Sequence, residues 1–267
     1  MRIKLTLQYK GTNFKGWQIQ ANGLAVQEVL QKTLHRLFQK KITVIAASRT
    51  DSGVHAMRQV AHCDLPEGIT AVPNRLRYQL NSLLPPDIAV TSVEEVAGSF
   101  HAQKSAKRKI YDYQILNSPV PSPFLADYVW QNFKPLDVEK MKKAAKVLVG
   151  EHDFSSFAAS DRSTKTSVRK IYRVVIASDR RERSNPVAPS GLLRYARDDA
   201  DGRMITITLE GNGFLKQMVR NIVGTLVDVG RGRTSVAQFR RILASKDRRA
   251  AGRCAPARGL ILREVIY

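Results

Sequence analysis

Ile3, Leu5, Leu7 and Tyr9 alternate with polar residues along Arg2–Tyr9, which predicts a strand with one buried face. A glycine-rich loop follows at 11–23. Val26, Val29, Leu30, Thr33, Leu34, Leu37 and Phe38 then recur at helical spacing and predict an amphipathic helix. Residues 42–47 and 59–65 read as strands on either side of a turn at Asp51. Leu76, Leu80, Leu83 and Leu84 form a helical stripe within 73–84, stopped by Pro85-Pro86. Ile88–Val96 is a fourth strand, so the order is β-α-β-β-α-β.

The same order returns in the second half. Strands are expected at 107–116, 167–177, 203–210 and 260–267. Helices are expected at 137–149, with Asp137 as N-cap, at 214–229, the most apolar of all, and at 235–244. The implied fold class is α+β. Two split β-α-β halves, RRM-like or ferredoxin-like, make a mixed, mainly antiparallel central sheet flanked by helices, with a cleft between the halves. The expected domains are 1–104 and 105–267, the second carrying an insertion at about 179–202. That insertion contains Arg180, Arg181, Arg183, two prolines and the acidic Asp198, Asp199 and Asp201, and reads as a long loop.

Composition narrows the partner. The chain has 267 residues, 43% hydrophobic and 25% charged, which is globular. Lys and Arg number 44 against 23 Asp and Glu, a formal net charge of +21 that favours a polyanion. No apolar run is long enough to span a bilayer, and the first residues lack the apolar core of a signal peptide. Cys63 and Cys254 stand far apart, so neither a disulfide framework nor a zinc cluster is expected, and a reducing cytoplasm fits.

Three residues carry candidate chemistry. Asp51 sits in Ser48-Arg49-Thr50-Asp51-Ser52-Gly53-Val54-His55-Ala56. Asp-Ser-Gly is an ordinary turn, but Arg49 shares the alternation of Asp51 and His55 follows closely, and a nearby guanidinium keeps a carboxylate ionised. Arg220 lies on a helix apolar over most of its circumference. A half-buried guanidinium needs an anionic partner, and Asp51 is the expected one. Tyr111, in Arg108-Lys109-Ile110-Tyr111-Asp112-Tyr113, offers an aromatic face on a basic strand, a platform for an unpaired base; Phe100-His101 could serve likewise. One of Tyr111 and Tyr113 is equally readable as core. The loop at 11–17 lacks the Gly-Lys-Ser/Thr of a phosphate loop, the five histidines form no metal-ligand pattern, and no Gly-x-Ser-x-Gly elbow occurs.

With these residues assembled, the chain closely resembles the TruA-type tRNA pseudouridine synthases over essentially its full length. The resemblance is carried by 9–18, by 49–56, by Phe100-His101-Ala102 with Arg108 through Tyr113, by 151–157, by 214–224 and by 257–267. It implies that Asp51 is the essential aspartate, Tyr111 the tyrosine contacting the target ring, and Arg220 the basic residue paired with the aspartate. Arg49 would enter the stack when uridine is flipped. Phe100, His101 and Lys104, and the region of Lys165, would contact tRNA, with His55 alongside the flipping residue. It further implies a homodimer with one tRNA across both subunits, no cofactor and no metal, and modification at positions 38, 39 and 40 of the anticodon arm. Ser52 stands where alanine is more usual, and Gln103 where arginine often follows His-Ala.

The implied reaction breaks N1–C1′, rotates the base and forms C5–C1′, with no redox change or hydrolysis. Asp51 has three routes open to it: attack at C1′, removal of the 2′ proton to give a glycal, or addition to C6. Tyr111 would stack on the base and take the C5 proton, for which a phenol of pKa about 10 needs tuning. The rival reading is a non-catalytic structured-RNA-binding protein or RNA chaperone, which would keep Tyr111 and the cations but have no need of Asp51. A DNA-binding regulator is disfavoured, since no helix-turn-helix stands out.

Overall fold

The alternation at the N-terminus produces β1 (Arg2–Tyr9), with Ile3, Leu5, Leu7 and Tyr9 all buried. The computed structural model describes residues 1–160, 166–179 and 202–267, so most of the insertion and Lys165 lie outside the described residues. The chain forms two compact units, Met1–Lys109 with Ile261–Tyr267, and Ile110–Leu260.

In the first unit β1 is followed by α1 (Val26–Phe38), β2 (Ile45–Ala46), β3 (His55–Asp64), α2 (Pro73–Leu83) and β4 (Ile88–Val96). β1 lies between β4 and β3, antiparallel to both. The predicted strand at 42–47 shrinks to the two residues of β2. The reason lies in α1, whose glutamines take the backbone of Val44: Gln31 Oε1 accepts its N–H at 3.0 Å, and Gln27 Nε2 donates to its carbonyl at 2.8 Å. β3 starts at His55, four residues before the predicted start. Its first two residues pair in parallel with Ile261 and Leu262 of the closing strand, β10 (Leu260–Ile266), a partner some two hundred residues away that no local pattern announces. β2 pairs further along β3, opposite Ala61 and His62.

The second unit contains β5 (Arg108–Asn117, from Ile110), β6 (Trp130–Asn132), α3 (Val138–Ala145), β7 (Gly150–Asp153), β8 (Val168–Asp179), β9 (Arg203–Gly211), α4 (Met218–Gly230) and α5 (Val236–Ser245). β5, β9, β8 and β7 are neighbours in that order; β7 and β9 run antiparallel to β8, and β6 runs parallel to β5. β6 and β7, of three and four residues, are too short to show a period. Asp137 caps α3 as expected, its Oδ1 accepting the Lys140 N–H at 2.9 Å. α4 begins at Met218, four residues later than its apolar run, because Gln217 adopts a left-handed conformation (φ 59°) and Phe214 serves another purpose. The class is α+β, mainly antiparallel with packed helices, as the pattern implied. No helix among the described residues is long and apolar enough to cross a membrane.

Candidate active site

The half-buried Asp51 sits on a turn closed by its own carbonyl, which accepts the Val54 N–H at 3.1 Å. The glycine-rich loop grips this turn from both sides. Trp17 N–H donates to the Thr50 carbonyl at 3.1 Å, and Gly53 N–H to the Phe14 carbonyl at 3.2 Å. Ser52 Oγ also reaches Phe14 O, at 3.3 Å. Gly16 makes the approach possible: its φ is +85°, and a Cβ there would lie 2.5 Å from Thr50 O. Gly16→Ala is therefore expected to destabilise the fold by about 1–3 kcal/mol and to slow turnover. A denaturant midpoint equal to that of the parent chain would contradict this. His55 is buried beneath the turn, with Nδ1 accepting the Gly11 N–H at 3.0 Å, whereas Arg49 is exposed.

A second cluster in the same unit holds Phe100, His101 and Lys104. His101 Nδ1 accepts the backbone N–H groups of Gln103 and Lys104, both at 3.2 Å. Beneath it the buried His62 accepts the Ala102 N–H at 3.1 Å through Nδ1. Burial, and then the charges of His101 and Arg2, push the His62 imidazole below its ordinary value, so it stays neutral and keeps that acceptor. Arg2 forks onto Asp64 (2.7 and 2.8 Å) and donates to the carbonyls of Phe100 and Gly98. Its hydrogen bond and charge hold the Asp64 carboxyl below the usual carboxylate range. Tyr267 closes the cluster, its ring 5.0 Å from that of Phe100 and its hydroxyl donating to Ala102 O at 2.8 Å. Phe100 and His101 are thus half-buried on a braced turn, with Lys104 exposed at its end.

In the second unit Tyr111 is buried on β5, edge-on to Phe214 at 5.1 Å. Tyr113 is the core member of the pair, with no exposure and its ring edge-on to Trp130. Arg220, half-buried in the first turn of α4, donates Nε–H to Ala255 O at 2.7 Å, while Ala255 N–H returns a bond to Arg220 O at 3.1 Å. Tyr113 donates its hydroxyl to the next residue, Pro256, at 2.7 Å. The strand of Tyr111 and the helix of Arg220 are therefore tied to one dipeptide. Gly224, one turn beyond Arg220, lets that segment approach: a Cβ would sit 1.7 Å from Arg253 O. Asn221 anchors the same turn, donating to Phe157 O at 2.8 Å and accepting from Arg248 at 2.9 Å.

The family model described as tRNA pseudouridine synthase matches residues 6–103 and 144–267, which contain both the Asp51 turn and α4. The chain is 43% identical to tRNA pseudouridine synthase A of Thermoanaerobacter sp. (strain X514) over 99% of each chain. It is 41% identical to tRNA pseudouridine synthase A of Myxococcus xanthus, over 100% of this chain and 92% of that one, and 40% identical to the Brevibacillus brevis protein of that name over 100% and 99%. The chain belongs to the tRNA pseudouridine synthase family. It is an isomerase that converts uridine to pseudouridine in tRNA.

For a tRNA pseudouridine synthase the organisation of the turn is informative. Sequence reasoning singled out Asp51, Arg49 and His55, and the structure brings these into one turn; it brings Phe100, His101 and Lys104 into another, and ties Tyr111 and Arg220 to a common segment. Lys165 lies outside the described residues. Reasoning from residue types passed over Gln59, Tyr9 and Trp17, which hold the Asp51 turn, and Phe214, which faces Tyr111. Buried polar residues on a strand are the signal for the first two. Among the described residues no group of three or more His, Cys, Asp or Glu is arranged to hold a metal ion. Both cysteines are free, and burial pushes the Cys63 thiol up to about 12.

Proposed function

We propose that this tRNA pseudouridine synthase modifies the uridines at positions 38, 39 and 40 of the anticodon stem-loop, working in the cytoplasm as a homodimer and without a cofactor. Asp51, carried by the half 1–104, is the reacting carboxylate. Tyr111 and Arg220, carried by the half 105–267 with its insertion at 179–202, bind the target. Arg220 orients Asp51 through a charge-assisted hydrogen bond. Tyr111 stacks on the uracil and takes its C5 proton after the base has turned and C5 has bonded to C1′; N1 gains a proton in exchange. Extruding the base costs a few kcal/mol, and Arg49 fills the gap. His55 supports the flipping turn, and Phe100, His101, Lys104 and Lys165 contact the tRNA.

The observation that carries this reading is the Asp51 turn. A carboxylate that served only to close a turn would not need a second loop bonded to the residues on both sides of it. The test is to map the modified positions in a defined anticodon arm with uridine at 38, 39 and 40. Pseudouridine at those sites supports the reading; modification elsewhere removes it.

The net charge of +21 implies phosphate-dominated binding. Affinity for tRNA is expected to fall at least about tenfold between 50 and 200 mM salt. A salt-independent dissociation constant would contradict a phosphate-tracking surface.

A further inference from the structure

Behind the Asp51 turn lies a buried polar network that turn formation alone does not require. Gln59, on β3, is fully buried. Its amide brackets Ser48, with Nε2 donating to Ser48 O at 2.7 Å and Oε1 accepting the Ser48 N–H at 3.3 Å. The other Nε2 proton goes to the Tyr9 hydroxyl at 3.3 Å. That hydroxyl also lies 2.8 Å from Thr50 Oγ1, a hydrogen bond in which either oxygen can donate. Trp17 N–H holds the Thr50 carbonyl from the opposite side, and the Trp17 ring lies 6.2 Å from that of Tyr9. Ser48, Thr50 and Tyr9 are all buried, so water does not compete for these bonds.

The residue immediately before the carboxylate is thus fixed at both its side chain and its carbonyl, and Ser48 is fixed at both backbone groups. Two anchored residues upstream of Asp51 define the backbone torsions that aim its Cα–Cβ bond. A reacting carboxylate must lie within a fraction of an ångström of its target, and misplacement by about 1 Å can cost about a hundredfold in rate.

We propose that Tyr9 and Gln59 are positioning residues for the isomerisation, acting through Thr50 and Ser48 to hold Asp51 in its reactive direction. The inference rests on Asp51 being the reacting carboxylate. The bland alternative is that the network only satisfies buried polar groups, in which case its loss costs stability alone.

Tyr9→Phe removes one hydroxyl and leaves the ring. Measured well below its melting temperature and at saturating tRNA, it is expected to lower kcat about tenfold or more, with KM within about twofold. Thr50→Val is expected to show a similar loss, and the double variant a loss well short of the product of the two, because both single variants break the Tyr9–Thr50 bond. Thr50→Ser retains the hydroxyl and is expected to recover most of the rate that Thr50→Val loses. Three outcomes would overturn the proposal: a Tyr9→Phe kcat within twofold of the parent, losses that multiply in the double variant, or a Thr50→Ser as slow as Thr50→Val. Asp51→Asn separates the layers. If it is inactive while Tyr9→Phe is fully active, only the positioning role fails; if it turns over normally, the assignment of Asp51 fails beneath it.

Discussion

Asp51→Asn is expected to reduce pseudouridine formation by at least about 10³-fold, a loss of about 4 kcal/mol of transition-state stabilisation, while tRNA affinity stays within a few-fold. The substitution is nearly isosteric, and it leaves in place the backbone bonds that close the turn: the Asp51 carbonyl to Val54, the Thr50 carbonyl to Trp17, the Phe14 carbonyl to Gly53. The local geometry therefore survives. What is lost is the anionic oxygen, and each of the three routes open to Asp51 needs it, whether as nucleophile at C1′ or C6 or as base for the 2′ proton. Binding rests mainly on phosphate contacts, which one neutral amide does not disturb. Titration of the variant with labelled tRNA, beside single-turnover assays, checks both halves. A large loss of binding would show that Asp51 has been given the wrong role.

Arg220→Met is expected to cut turnover by about 10²-fold or more, with a smaller effect on folding. Methionine matches the length and flexibility of the arginine stem and keeps its apolar packing on α4. The backbone bond from Ala255 N–H to Arg220 O is untouched, and Gly224 still admits the 253–255 segment. Lost with the guanidinium are its bond to Ala255 O and, on the proposed reading, the counter-charge that aims Asp51. Arg220→Lys is expected to recover little, because a single ammonium cannot bond the Ala255 carbonyl and a carboxylate with the geometry of a planar fork. Steady-state kinetics with thermal unfolding of both variants checks this. Unchanged turnover in Arg220→Met would remove the ion-pair role.

The parts of this protein legible in its sequence are those set by local rules. β1, α1, α2 and β4 announce themselves by period and breaker residues, and the Asp137 cap is local chemistry. The parts that were not legible depend on distant partners. β3 begins at His55 because β10 pairs with it, and β2 is short because two glutamines of α1 satisfy the chain before it. α4 starts late because Phe214 faces Tyr111 instead of opening the helix. The candidate site divides the same way. Asp51, Tyr111 and Arg220 stand out as residue types in unusual surroundings. Tyr9, Gln59 and Trp17 read as strand and loop residues until the fold sets them against the turn, and Gly16 and Gly224 matter only for the backbone that approaches them.

Release of tritium from tRNA labelled at C5 of uridine tests the central claim most directly, because only chemistry that replaces the C5–H bond frees it. Incubation with the protein alone is expected to release tritium in proportion to the labelled uridines at 38, 39 and 40, without changing the mass of the unlabelled tRNA beyond error. Tight binding with no release would instead make this chain an RNA-binding protein and contradict the account.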